Sequence, residues 1–329
     1  MNRFGIILLT LLLSVLTIAC NGHKQDSLSN EEALQLLDAK IKKNNKNANL
    51  FYERGILEIE VGMDKNLSKY FKDAVSDLRK AIDLDNSRPE FYTTLADAQF
   101  RLGNVGESYS ALQKALKIDA DNFDANLKMG EIAFYSKDYD RAIESLNKVS
   151  SLDKNNQTAL LMTGFIYKEM GDTANAVRYF RQLIELYPDY EVPYEELGML
   201  YAQRGNKLGL EYLTTALRLE PTNTNVLYGL AMLYQDMEEA DMATEYYVKI
   251  LEIDPNNKYA WFNRGWIEMV LYEDYSNAAD FFAKAIECDP GYAEAHHNLG
   301  LAYQLLGNDD EAQKSFNRAK ALGFGNPAN

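Results

Sequence analysis

Between Thr224 and Asn257 the residues Leu227, Leu230, Ala231 and Tyr234 recur at helical spacing, and Ala243 and Tyr247 do so again after a polar break. The pattern predicts two short helices separated by Met237-Glu238-Glu239-Ala240-Asp241. Asp241 is a candidate N-cap for the second, and Asp254-Pro255-Asn256-Asn257 ends it because proline cannot continue a helix. The result is an antiparallel helical hairpin. The small residue at Ala231 returns at Gly55, Ala96, Gly130, Gly164, Gly198, Gly265 and Gly300, in steps of 41, 34, 34, 34, 33, 34 and 35 along the series. A second small series runs through Ala74, Ser108, Ala142, Ala176, Gly209, Ala243, Ala278 and Ala312. Packed helices lie roughly 8–10 Å apart, and their closest crossing admits only small side chains. A single hairpin cannot bury its own apolar face, so the units must stack.

A period of 34 carries a specific resemblance. Tyr194, Leu197, Gly198, Tyr201 and Pro221, and again His296, Leu299, Gly300, Tyr303, Ala312 and Phe316, match the pattern W-x2-L-G-x2-Y…A-x3-F…P. On these residues the chain resembles the tetratricopeptide-repeat family over about 48–324. The resemblance implies an all-α fold, a right-handed superhelical solenoid of antiparallel helical hairpins. Its eight units are expected at 48–88, 89–122, 123–156, 157–190, 191–223, 224–257, 258–292 and 293–324. A capping helix at 30–47 precedes them and a tail at 325–329 follows.

The start of the chain is of another kind. Asn2-Arg3 precedes a mostly apolar run, Phe4 to Ile18, closed by Ala19-Cys20. The run is short of the ~20 residues a spanning helix needs. It resembles a bacterial lipoprotein signal, which implies removal of 1–19, lipid chains on Cys20 and a polar tether at 20–29. The chain is thus expected in the bacterial cell envelope, anchored on the periplasmic side of the outer membrane. Ser29 and Glu32 have capping-box spacing, and Ala33, Leu36, Leu37 and Ile41 form the buried side of the capping helix. The first unit holds seven extra residues between Gly62 and Ala74. Because Leu67, Tyr70, Phe71, Ala74 and Leu78 keep helical spacing, they predict a second helix lengthened by about two turns.

Charge and chemistry narrow the function. The net charge of −15 disfavours nucleic acid and anionic lipid surfaces as partners. Cys288 stands where other units have Leu219 or Ile253, which predicts a buried core thiol, and with Cys20 lipidated no intrachain disulfide remains. His23, His296 and His297 have no metal-ligand spacing with a cysteine, and there is no phosphate loop, His-Glu-x-x-His or Gly-x-Ser-x-Gly. No enzyme, metal or cofactor is implied. Arg54 with Glu58, and Arg264 with Glu268, replace the usual apolar residues with oppositely charged pairs at i,i+4, and Asp77 is within reach of Arg54. Each pair reads either as a charged binding spot or as a structural ion pair, and the structural reading is preferred.

In the family, residues three before and one after the small residue line the concave groove. Units two and three then offer Asp97 and Glu131. Units four to eight offer Leu161, Phe165, Met199, Tyr228, Met232, Phe262, Trp266 and Leu301. Chaperone-binding members hold a terminal carboxylate there with Lys and Asn, an arrangement this chain lacks. An apolar groove of Met and aromatic residues suits a protein partner presenting an amphipathic helix or an extended apolar segment. The competing reading is packing against the next hairpin. The sequence therefore points to a membrane-tethered, non-enzymatic protein-interaction scaffold or adaptor. The alternative is a self-associating structural lipoprotein, and the oligomeric state stays open.

Overall fold

The computed structural model describes residues 29–325, and the signal segment, Cys20 and the end of the tail lie outside them. The described residues form seventeen helices and no strand. In order they are α1 (Asn30–Lys43), α2 (Ala48–Lys65), α3 (Ser68–Leu84), α4 (Pro89–Arg101), α5 (Val105–Ile118), α6 (Phe123–Tyr135), α7 (Tyr139–Leu152), α8 (Gln157–Glu169) and α9 (Thr173–Leu186). They continue with α10 (Val192–Ala202), α11 (Leu208–Leu219), α12 (Thr224–Asp236), α13 (Ala240–Ile253), α14 (Lys258–Val270), α15 (Tyr275–Cys288), α16 (Ala293–Leu305) and α17 (Asp309–Ala321). The architecture is an all-α solenoid of paired antiparallel helices, about eight hairpin units behind an N-terminal helix. None of these helices is long and apolar enough to cross a membrane.

Turn chemistry sets the helix boundaries. Asn122, Asn156 and Asn257 accept from the backbone N–H groups of Ala125, Ala159 and Ala260, starting α6, α8 and α14. Three residues before each stands an aspartate, Asp119, Asp153 or Asp254, whose carboxylate takes the N–H two residues on and folds the turn between units. The expected N-cap Asp241 is a correction. α13 starts at Ala240 after Glu239, and the Asp241 carboxylate instead accepts the Tyr272 hydroxyl.

Both small-residue series lie where helices touch. A Cβ on Gly198 would fall 2.5 Å from Leu213 Cγ, and one on Gly209 would fall 2.9 Å from the Ala202 backbone nitrogen. Crowding of this kind costs roughly 1–3 kcal/mol. Around these crossings Phe91, Phe180, Phe282, Leu78, Leu112 and Leu146 are fully buried.

The chain divides after Ser136 into two compact units. In the first, α1 carries the expected capping box, with Ser29 N–H donating to Glu32 Oε2 at 2.8 Å and Glu32 N–H to Ser29 Oγ at 3.3 Å. Leu37 and Ile41 are buried, but Leu36 is 46% exposed and does not belong to the helix's inner side. The extra residues lengthen both helices of the pair, the first more than the second, so the second gains about one turn and not the two expected. α2 has 18 residues against 13 in α4, while α3 has 17 against 14 in α5. The turn falls at Asn66, in the left-handed region at φ 51°, and Leu67 is left exposed ahead of α3.

The second unit runs from α7 to α17. Cys288 is only partly buried, and Ile253 at the same register is 46% exposed, so this position is a rim and not a core. The expectation of a buried thiol fails at a register that other units also leave open, Ile118 and Leu152 being exposed there like Ile253.

Candidate partner-binding face

The apolar residues singled out by sequence all fall in the second unit, on successive first helices of the hairpins. They do not form one uniformly open stripe. Leu161 and Phe165 are 4% and 2% exposed, Phe165 being held edge-on against Phe180 with ring centroids 5.6 Å apart. These two are core, which corrects the expectation that they face a partner. Met199, Tyr228, Met232, Phe262, Trp266 and Leu301 are half-buried.

Their supports can be named. Met199 packs so closely on Gly229 of the next pair that a methyl there would meet Cε at 2.7 Å. Tyr228 stands edge-on to Tyr247 at 5.9 Å, and its hydroxyl accepts Asn263 Nδ2 at 2.9 Å, tying α12 to α14. The Tyr247 hydroxyl donates toward Met232 Sδ and Gln235 Oε1, both at 3.1 Å. Burial pushes the Tyr247 hydroxyl well above the usual phenol range, with Tyr228 and Asp236 adding to the shift. Phe262 lies between Phe282 at 5.4 Å and Tyr292 at 5.2 Å. His297 stacks on Phe324 at 4.1 Å and 20°, so the segment after α17 folds back over this hairpin.

The structure adds residues that the spacing rule omitted. Lys258 lies 5.0 Å from the centroids of both Tyr259 and Tyr292 while pairing with Asp289 at 2.5 Å. Tyr259 is 45% exposed, and Asn263 is buried beside it. A usable signal existed for Asn263, because it sits two residues before Gly265 on the same helical face as Phe262 and Trp266.

Asp97 and Glu131, in the first unit, are not open groove charges. Lys128 Nζ lies 3.0 Å from Asp97 and 2.8 Å from Glu131, and Arg101 Nε lies 2.8 Å from Asp97. Burial alone would raise the Asp97 carboxyl, but Lys128 and Arg101 outweigh it and hold the group below its ordinary value. Glu131, where burial dominates, is held above its ordinary value despite Lys128. Charges neutralised within a network offer little to a partner.

The two sequence-predicted ion pairs separate. Arg54 is clasped by Asp77 through Nε at 2.5 Å and Nη2 at 2.7 Å, and by Asp38 of α1 through Nη1 at 2.5 Å. Its expected partner Glu58 is not bonded to it, and Glu58 Oε2 is buried with no hydrogen-bond partner among the described residues. Arg264 and Glu268 form no ion pair. The Arg264 guanidinium lies 4.1 Å over the Phe281 ring, and its buried Nε has no hydrogen-bond partner among the described residues. Among the described residues no group of three or more His, Cys, Asp or Glu is placed to hold a metal ion.

Comparison with known proteins agrees with this geometry. Tetratricopeptide-repeat profiles match residues 93–157, 158–190, 224–257 and 281–314. The C-terminal part of a tetratricopeptide repeat-containing protein from Cytophaga hutchinsonii aligns with a TM-score of 0.62 at 20% identity, covering 71% of this chain and 96% of that one. A tetratricopeptide repeat protein from Parabacteroides merdae gives 0.55 at 17% identity, covering 73% and 95%. Among curated proteins, a UDP-N-acetylglucosamine–peptide N-acetylglucosaminyltransferase of Giardia intestinalis is 28% identical over 97 residues, 29% of this chain. The chain spans only 7% of the length of that relative and 21% of another, a BBSome complex member of Caenorhabditis elegans. The chain has the tetratricopeptide-repeat fold, an array of helical hairpins of the kind that carries protein-interaction surfaces.

Proposed function

We propose that the chain is a lipid-tethered adaptor of the bacterial cell envelope, holding an amphipathic or extended apolar segment of an envelope protein on the first-helix face of its second unit. The observation that carries this reading is the half-buried run Met199, Met232, Phe262 and Trp266, continued by Tyr259 at 45% exposure. Side chains of this kind form an adaptable apolar surface already fixed from behind by Tyr247, Phe282 and Tyr292. The tether rests on Ala19-Cys20 at the end of the apolar run.

Crosslinking and co-purification from membranes tests both halves. Truncating central aromatic contacts commonly costs 2 kcal/mol or more of binding, about thirtyfold in affinity. The Met232→Ala/Trp266→Ala double variant should therefore lose its crosslinked partners while keeping its helical signal, and Cys20→Ser should move the protein into the soluble fraction. Full partner yield from the double variant would remove the apolar face from the reading, and unchanged membrane partition of Cys20→Ser would remove the tether.

A further inference from the structure

Arg264 stands immediately before Gly265, as Arg54 stands immediately before Gly55, and each is followed by a glutamate four residues on. Three residues beyond the second small residue, the first hairpin has Asp77 and the seventh has Phe281. That one difference decides the fate of the guanidinium. Arg54 receives both oxygens of Asp77, and a further carboxylate, Asp38, arrives from the neighbouring helix α1. The Arg264 guanidinium lies over the Phe281 ring instead, 4.1 Å from its centroid, and among the described residues its side chain has no hydrogen bond or ion pair.

The surroundings favour an anion. Lys284, exposed and likewise without an ion pair among the described residues, lies 4.5 Å from the Trp261 ring centroid. Trp261 and Phe281 stack at 5.8 Å and 24°, so two cations flank one aromatic pair in a chain of net charge −15. Three preceding hairpins fill the corresponding registers with stacked tyrosines, Tyr167 on Tyr179, Tyr201 on Tyr212 and Tyr234 on Tyr246. In the seventh, Glu268 replaces the first ring of that pair and Trp261 takes up the stacking. Burial pulls the Arg264 guanidinium below its ordinary value, with Glu268 only partly offsetting it. At about 100° per residue, Trp261, Arg264 and Glu268 lie on the side of α14 turned away from Phe262 and Trp266, so this site is separate from the apolar face.

We infer that Arg264 and Lys284, set on the Trp261–Phe281 stack, form a second binding site that takes a carboxylate from an acidic segment of a protein partner. The first hairpin shows the chemistry within the same chain: there a helix-borne carboxylate, Asp38, docks on the equivalent arginine. A planar guanidinium binds a carboxylate through paired N–H donors, and the neighbouring ammonium adds a charge-assisted bond.

The test is an NMR titration of the full chain, following the two tryptophan indole N–H signals. The probes are an acetylated tetraglutamate peptide, inorganic phosphate, and sodium chloride as the ionic-strength control. The Trp261 signal should shift saturably with the peptide while Trp266 stays in place. Lys284→Gln, an exposed change, should weaken that binding about tenfold, and Phe281→Asp, which restores the internal carboxylate of the first hairpin, should abolish it. A peptide shift unaltered in Lys284→Gln, or no saturable shift with the wild-type chain, would overturn the proposal. Saturation by phosphate but not by the peptide would overturn its assignment to a protein carboxylate. The apolar-face reading is tested separately through Met232 and Trp266, so failure here leaves that result untouched.

Discussion

Glu58 is 8% exposed, and it meets the Arg54 clasp without joining it. Arg54 on its own helix carries one positive charge, while Asp77 and Asp73 of α3 and Asp38 of α1 face the same region. Burial, followed by the Asp77 charge, pushes the Glu58 carboxyl up to about 8, against the partial opposition of Arg54. The folded value thus lies above the unfolded one. The stabilising contribution of the protonated group is complete below about 4.5, the ordinary glutamate range, and is lost as pH rises through about 8. Glu58→Gln supplies a neutral group of the same shape. Its melting temperature should change little relative to wild type at pH 5 and exceed it at pH 8.5, where an unpaired buried carboxylate costs ~1–3 kcal/mol. Parallel pH profiles for the two proteins would show that Glu58 does not titrate between folded and unfolded states in this way.

At the scale of the element, the turn inside each hairpin reuses one left-handed residue. Gly103, Gly171, Gly205 and Gly307 fill it at φ 63–79°, whereas Lys137, Glu238 and Glu273 fill it at φ 55–60° with a Cβ in place. A side chain in that region costs roughly 1–2 kcal/mol, while glycine gives back about 0.5–1 through its freer unfolded chain. Glu238 is exposed and loses no contact, so Glu238→Gly should stabilise the chain by a net ~0.5 kcal/mol, read as a higher denaturant midpoint at constant slope. A lower midpoint would mean that the turn is not left-handed in solution. The hairpins themselves were legible in the sequence because the 34-residue period and the two small-residue series repeat along it. Phe165 was not, since the ring that covers it, Phe180, is supplied by the facing helix. Nor was the contrast between Arg54 and Arg264. Their local sequences agree, and their fates depend on Asp77 or Phe281 across the hairpin. Side chains that recur at one register also hid a shared role: Tyr92, Tyr194, Trp261 and His296 each reach back to the carbonyl six residues earlier, pinning the turn between units.

At the scale of the whole molecule, a stacked array is held by nearest neighbours, so its ends are where opening begins. The N-terminal end is closed by α1, through Leu37, Ile41, the Asp38–Arg54 pair and the Glu31–Lys65 pair at 2.6 Å. The other end has no additional helix among the described residues. There α17 stops at Ala321, Gly323 turns the chain at φ 95°, and Phe324 N–H donates to Ala319 carbonyl at 3.0 Å while its ring lies on His297. The ring is 36% exposed, so its stacking contributes ~1 kcal/mol. In a nearest-neighbour array that energy resists opening of the terminal hairpin first. Phe324→Ala should therefore speed hydrogen exchange of the α17 amides by a factor of about five, with α12 of the same compact unit unchanged. Equal acceleration in α12 and α17 would mean that this unit opens as one cooperative block, and no change in either would mean that Phe324 does not close the end.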